Sequence, residues 1–132
     1  MKKCIFISTL FILFFSCKKE SVELDRVKFI GVYSVNESCP NGASNYEIII
    51  TNSSESDNAV LLTNFGGLAG LTVKAIVNGS NIILPNQTIA FNGLSIIING
   101  GSGSINGLIL NLNYGFSIGI DSQNCSMSCN KK

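Results

Sequence analysis

Cysteines and carboxylates are the side chains in this sequence best suited to chemistry, because it contains no histidine. The commonest general base and the commonest neutral metal ligand are therefore both missing. Cys39, Cys125 and Cys129 are three thiols for which a disulfide and a metal site compete. A structural zinc site needs a fourth ligand, and Cys125 and Cys129, separated by three residues on a predicted strand, do not form a knuckle. No metal is expected. Glu37, Glu47, Glu55, Asp57 and Asp121 include candidates for the acid pair of a glycosidase, about 5 to 9.5 Å apart. They fall mostly in or beside predicted turns, where acids are ordinary solubilising residues. A nucleophilic serine needs an activating base, and only Lys74 is available within the domain. Gly100-Gly101-Ser102-Gly103 has neither the GxGxxG spacing nor the adjacent lysine of a phosphate loop. No catalytic residue and no cofactor is assigned, and an enzyme is not expected.

The elements that position these residues read as β throughout. From Phe29 onward, short β-branched and aliphatic runs alternate with Asn, Gly and Ser, and no helix-forming stretch of useful length occurs. Strands are predicted over 28–36, 44–52, 58–64, 71–78, 81–90, 93–105, 108–118 and 122–129. Asn78-Gly79-Ser80, Asn92-Gly93 and Asn106-Gly107 suit tight hairpins, which makes consecutive strands antiparallel neighbours. The predicted fold is an all-β, eight-stranded antiparallel meander closing into a small barrel, with a β-sandwich as the alternative. Alternation turns inward Tyr46, Ile48 and Ile50; Leu71, Val73, Ala75 and Val77; Leu94, Ile96 and Ile98; and Leu108, Leu110, Leu112 and Tyr114. Pro85 and the run Gly100–Gly103 suit bends or bulges, the competing reading of the glycines being a loop that splits a strand. Ile48-Ile49-Ile50, Ile82-Ile83-Leu84 and Ile96-Ile97-Ile98 put apolar residues on both strand faces, so either a second layer covers the outer face or the barrel exposes an aliphatic patch.

Closure decides the cysteines. In a shut eight-strand meander the last strand runs antiparallel to the first, placing the start of strand eight beside the end of strand one. Cys39 and Cys125 then meet, while Cys129 lies about 13 Å further along at about 3.3 Å per residue. A disulfide tolerates Cα separations of about 4.4 to 6.8 Å. The predicted bond is Cys39 to Cys125, with Cys129 free or available for an intermolecular bond.

The N-terminus carries an address. Lys2-Lys3 precedes an apolar run from Cys4 to Phe15, of a length that suits a secretory signal and is too short to span a bilayer. Leu13-Phe14-Phe15-Ser16-Cys17 ends that run and resembles a bacterial lipobox, although Phe14 stands where an aliphatic residue is usual. The resemblance implies removal of residues 1–16 and acylation of Cys17. Residues 17–28 then form a lipidated tether, and 29–132 the β-barrel domain. Val22, Leu24 and Val27 could form a short helical turn against that domain. Lys18, Lys19, Glu20 and Glu23 loosely resemble the surface-export signal of Bacteroidetes lipoproteins. Loss of Lys2 and Lys3 leaves seven basic against eight acidic side chains, and Lys74 is the only charged residue from Asn58 to Ile120. No basic field for nucleic acid exists.

Phe29-Ile30-Gly31-Val32-Tyr33-Ser34-Val35, Cys39, Asn64-Phe65-Gly66, Gly79, Pro85-Asn86-Gln87-Thr88 and Cys125 together resemble a group of small Bacteroidetes lipoproteins. Gly31-x-Tyr33 on a first strand is similar to the opening motif of lipocalin-like (calycin) barrels, which implies that an aromatic plugs one end. The resulting expectation is an outer-membrane lipoprotein, facing the periplasm or the cell surface, that acts as a non-catalytic binding module. Its partners are the membrane, through the acyl chains, and a small apolar ligand, surface polymer or protein. Inhibition of secreted hydrolases and a structural envelope role are the alternatives. Asn64, Phe65, Gly66, Gly67 and Leu68 are the candidate binding loop, on the expectation that Phe65 and Leu68 are exposed between flexible glycines. Internal volume separates the readings, since a cavity of about 300 Å³ or more marks a ligand carrier and a filled interior marks binding by loops. A Cys17→Ser variant is expected to leave the membrane fraction, because buried acyl chains contribute about 0.8 kcal/mol per CH₂. Retention of that variant on membranes through a high-salt wash would defeat the lipobox reading.

Overall fold

The computed structural model describes residues 25–132. The signal segment 1–16, Cys17 and the tether up to residue 24 lie outside the described residues. A helical turn over 25–29 leads into nine strands: β1 (Gly31–Cys39), β2 (Gly42–Asn52), β3 (Ala59–Thr63), β4 (Thr72–Asn78), β5 (Asn81–Leu84), β6 (Gln87–Phe91), β7 (Leu94–Asn106), β8 (Ile109–Ile118) and β9 (Asp121–Lys131). A short 3-10 turn (Phe65–Gly67) sits between β3 and β4. All pairings are antiparallel, in the order β5-β4-β3-β2-β1-β9-β8-β7-β6, and the pairing of β5 with β7 closes the sheet. The result is an eight-stranded meander barrel, because β5 pairs with Gly101 to Ser104 of β7 and β6 with Leu94 to Ile98 of the same strand. β5 and β6 share one place in the wall.

The strand expected over 81–90 is thus two strands, and Pro85 is the reason. It has no N–H to give a ladder, so the chain steps outward at Pro85-Asn86 before pairing again. β6 pairs with β7 alone, and a seam opens beside β4. The Gln87 side chain bridges it by acting as a strand partner. Its Oε1 accepts from the Lys74 N–H at 2.9 Å, and its Nε2 donates to the Lys74 carbonyl at 2.9 Å.

The glycine run lies inside one strand. β7 continues through Gly100–Gly103 with a bulge between Ile98 and Gly101, so the loop reading of these residues is set aside. A Cβ on Gly103 would lie 2.1 Å from the Asn111 carbonyl oxygen and 2.9 Å from the Leu112 Cα. Bare backbone at this position lets β7 curl tightly against β8.

Alternation predicts most of the interior. Ile48, Ile50, Leu71, Val73, Ala75, Val77, Ile96, Ile98, Leu110, Leu112 and Tyr114 are buried in one cluster, and Tyr46 is half-buried against it. Leu94 and Leu108 are corrections, since both are exposed. Leu94 is the first residue after the Asn92-Gly93 turn, and Leu108 sits in the Gly107-Leu108 turn. Ile49, Ile83 and Ile97 face outward and are 45, 55 and 41% exposed, so no second layer covers them. The aliphatic runs therefore belong to a barrel wall rather than to a sandwich core.

One barrel end is closed by the segment that enters it. Phe29 is fully buried, and Tyr33, the aromatic of the Gly31-x-Tyr33 pair, donates to the Phe29 carbonyl at 2.8 Å. Arg26 Nη1 donates to the carbonyls of Ser53 and Ser56, at 3.1 Å each, and Asp25 accepts from the Gly79 N–H at 3.0 Å. Val27 faces solvent, so Phe29 supplies the packing expected of it, while Val22 and Leu24 lie outside the described residues.

Cys39 and Cys125 form a disulfide with Cα atoms 4.4 Å apart, where the end of β1 meets the start of β9. Cys129 is opposite Val35, free and fully buried. It is therefore not available for an intermolecular bond in the folded barrel, which corrects that part of the expectation. Gly103→Ala is expected to destabilise the domain by about 2–3 kcal/mol through overpacking against backbone. The reading is a lower urea midpoint at unchanged m, and an unchanged midpoint would show that β7 does not need its bare backbone.

Candidate functional site

The other end of the barrel is the mouth. It is framed by the 40–41 turn, the 64–71 loop, the Asn92-Gly93 turn and the 119–120 turn, since β1 runs toward it and each following strand reverses. The candidate binding loop lies here, but it is built differently from the expectation. Phe65 is buried, its ring packed edge-on to Tyr114 with centroids 4.6 Å apart. The loop is pinned by Asn64 Nδ2 donating to the Glu47 carbonyl at 2.6 Å and by the Phe65 N–H donating to the Leu71 carbonyl at 3.1 Å. Gly67, at φ +74°, lies against the Tyr46 ring, where a Cβ would come within 3.2 Å. Its glycines serve a tight path across two tyrosines, and Leu68 alone of the two apolar residues projects.

Beneath the loop is a cavity of about 180 Å³. Phe65, Leu68, Leu71, Ile96, Ile98 and Phe116 supply apolar walls. Glu37 and Tyr114 supply the polar groups. Glu37, named among the acids and set aside with them as a solubilising turn residue, belongs to this site instead. It continues the inward row of β1 after Tyr33 and Val35 and is only 7% exposed. The Tyr46 hydroxyl donates to Glu37 Oε2 at 2.7 Å, and the Tyr114 hydroxyl donates to the same oxygen at 2.6 Å. These lengths are those of charge-assisted O–H···O bonds.

Burial, and then the bonds to Glu37, push the Tyr46 and Tyr114 hydroxyls above the usual phenol range, so both remain donors. Burial and then the Glu37 charge push the Cys129 thiol up to about 12, and burial and then Cys129 do the same for Tyr33. Glu37 also lies within 4.8 Å of both sulfurs of Cys39 and Cys125. Joined to each other, those sulfurs are not thiolate ligands, and the cluster keeps a single carboxylate donor.

The other acids are apart from this site. Glu47 pairs with Lys132 and Glu55 with Lys74, both at the surface. Asp121 is exposed at the start of β9, and Asp57 lies in the β2–β3 loop at the far end. No family model matches the chain, and no curated protein matches its sequence.

Four buried groups that keep their protons to higher pH when folded have a definite consequence. The unfolded chain loses those protons from about pH 9–10, so the stability they lend is complete below that range and falls as pH rises above it, that of Tyr33 and Cys129 being lost toward about pH 12. The urea midpoint is expected to be level from pH 7 to 9 and to fall steeply above, and native Cys129 to resist iodoacetamide at pH 8.5 until the chain is unfolded. A level midpoint up to pH 12, or rapid labelling of the native protein, would contradict the buried placement.

Proposed function

We propose that this protein is a membrane-anchored, non-catalytic binding module that takes its ligand at the barrel mouth. The observation that carries the proposal is the asymmetry of the two ends. One is sealed by Phe29, Tyr33 and the hydrogen bonds of Asp25 and Arg26. The other opens onto an apolar cavity with two polar groups. Ligand sites have this composition, with mostly apolar walls and a few placed polar groups.

The volume narrows the ligand. At about 180 Å³ the cavity falls short of the roughly 300 Å³ expected of a ligand carrier, and the interior beyond it is filled, so the site is a shallow one at the mouth. It suits a small molecule, or one group of a larger one, and is too small to enclose a lipid. Around it Leu68, Leu94 and Ile120 project as an apolar rim, Ile120 being fully exposed. The rim widens the contact surface beyond the cavity itself. Inhibition of a hydrolase by an inserted 64–70 loop is the weaker reading, because that loop is held down by Phe65.

The anchor supports the same orientation. The resemblance of residues 13–17 to a lipobox, and of the chain to small Bacteroidetes lipoproteins, implies acylation at Cys17. The segment 25–29 lies at the sealed end, and the eight residue steps from Cys17 to Asp25 could span at most about 29 Å. Tethering at the sealed end leaves the mouth on the outward side, toward ligands.

A ¹H–¹⁵N and aromatic NMR titration of the full chain with benzyl alcohol, a small neutral probe, tests the mouth. Saturable shifts at Phe65, Tyr114 and Phe116 are expected, with a Kd on the order of 1 mM, about 4 kcal/mol of binding. Shifts confined to other faces of the barrel would refute the mouth as the site.

A further inference from the structure

We infer that the mouth cavity is a site for an organic ammonium group, held by the Glu37 carboxylate and the faces of Phe65, Tyr114 and Phe116. The inference rests on the mouth-binding reading and adds the charge of the ligand.

A carboxylate buried among apolar side chains is costly unless it is hydrogen-bonded and paired. Glu37 is more than nine-tenths buried. Both of its hydrogen bonds, from Tyr46 and Tyr114, fall on Oε2. Among the described residues no donor reaches Oε1, on a side chain that lines the cavity. No described cation serves it either. Lys28 pairs with Asp25, Lys74 with Glu55 and Lys132 with Glu47. Arg26 and Lys131 are spent on backbone carbonyls at the sealed end. The carboxylate thus has one oxygen fixed by two donors and one left for a ligand.

The walls favour the same charge. The Tyr114 ring contacts Phe65 edge-on and lies nearly parallel to Phe116, with centroids 6.0 Å apart. Aromatic faces carry the negative side of the ring quadrupole, and groups of them attract alkylammonium ions. Each tyrosine hydroxyl already gives its proton to Glu37, so it has only acceptor lone pairs left to offer, which an ammonium can use and an anion cannot. An anion would meet the carboxylate and the ring faces at once. The aliphatic walls, Leu68, Leu71, Ile96 and Ile98, then take the carbon body of the ligand. The volume is that of about six waters at about 30 Å³ each, which matches a small amine or the end of a lysine side chain.

Titration of the full chain at pH 7.5 with benzylamine, benzyl alcohol and sodium benzoate separates charge from shape. Benzylammonium is expected to bind the mouth at least tenfold more tightly than benzyl alcohol, with benzoate weakest. Glu37→Gln, whose amide oxygen still accepts from the tyrosines, is expected to bring benzylammonium to the level of the alcohol. Equal affinities in the wild type, or a preference that survives Glu37→Gln, would overturn the ammonium assignment and leave the mouth reading intact. Absence of any probe from the mouth would overturn both. The wild-type series decides the matter by itself should the variant not fold. A further arm compares benzylamine with Nα-acetyl-lysinamide, in which tighter binding of the first assigns a free amine and of the second a polypeptide lysine, either supporting the ammonium site.

Discussion

The pairing of β9 with β1 is the constraint on which the structure depends. A meander without it is an open sheet with two bare edges, and a closed one has an inside. The register Tyr33↔Lys131 to Ser38↔Ser126 converts sequence ends into neighbours, and the Cys39–Cys125 bond makes that neighbourhood covalent. A cross-link over 86 residues removes roughly 4 to 5 kcal/mol of freedom from the unfolded chain in the chain-entropy model. That is comparable with the whole stability of a small domain. A domain of this size has only a modest core, so such a link is a large share of what holds it folded.

Closure also decides where polarity is affordable. The inward row of β1 runs from Tyr33 through Val35 to Glu37, and it becomes polar only on reaching the mouth. At the sealed end, backbone carbonyls take Arg26 and Lys131, Lys28 pairs with Asp25, and aromatic rings fill the space. At the mouth, one carboxylate is held by two phenols beside apolar walls, with the disulfide close by. Taking Glu37 out of water is an expense that neutral packing would avoid, since replacing buried ionic groups by apolar ones is often neutral or stabilising. Its place in the mouth wall is the feature on which the proposed ligand site rests.

The features that sequence made plain are local or follow from closure. Asn-Gly and Gly-Ser dipeptides at 78–80, 92–93 and 106–107 mark hairpins because few other residues tolerate positive φ there, and Gly79, Asn92, Gly93 and Gly107 do have positive φ. The Cys39–Cys125 pairing follows once the strands form a ring. The residues misread share one cause, which is that burial near a strand end is set by neighbours remote in sequence. Glu37 looked like a turn acid because strand one was taken to stop at 36, whereas β1 runs to Cys39 and keeps its alternation. Phe65 among glycines looked exposed, and only the approach of Tyr114 from β8 gives its ring a place. Leu94 and Leu108 fit the alternating pattern, yet a residue beside or within a hairpin turn has no wall to face.

The seam between β4 and β6 gives the barrel an uneven stiffness. Between the other neighbouring strands the wall is joined by backbone ladders, except that β2 from Gly42 to Ile48 lies beyond β3 and meets the 64–71 loop instead. Along the upper part of β4, the Gln87 amide replaces the ladder with two bonds, each worth about 1 kcal/mol net, supplemented by the half-buried Ile89 and Phe91. The upper hairpin of β6 and β7 is therefore held to β4 by side chains alone, while its ladder to β8 continues through Ile96, Ile97 and Ile98. Because that hairpin carries Ile96 and Ile98 of the cavity wall, the mouth has a compliant side and a rigid side.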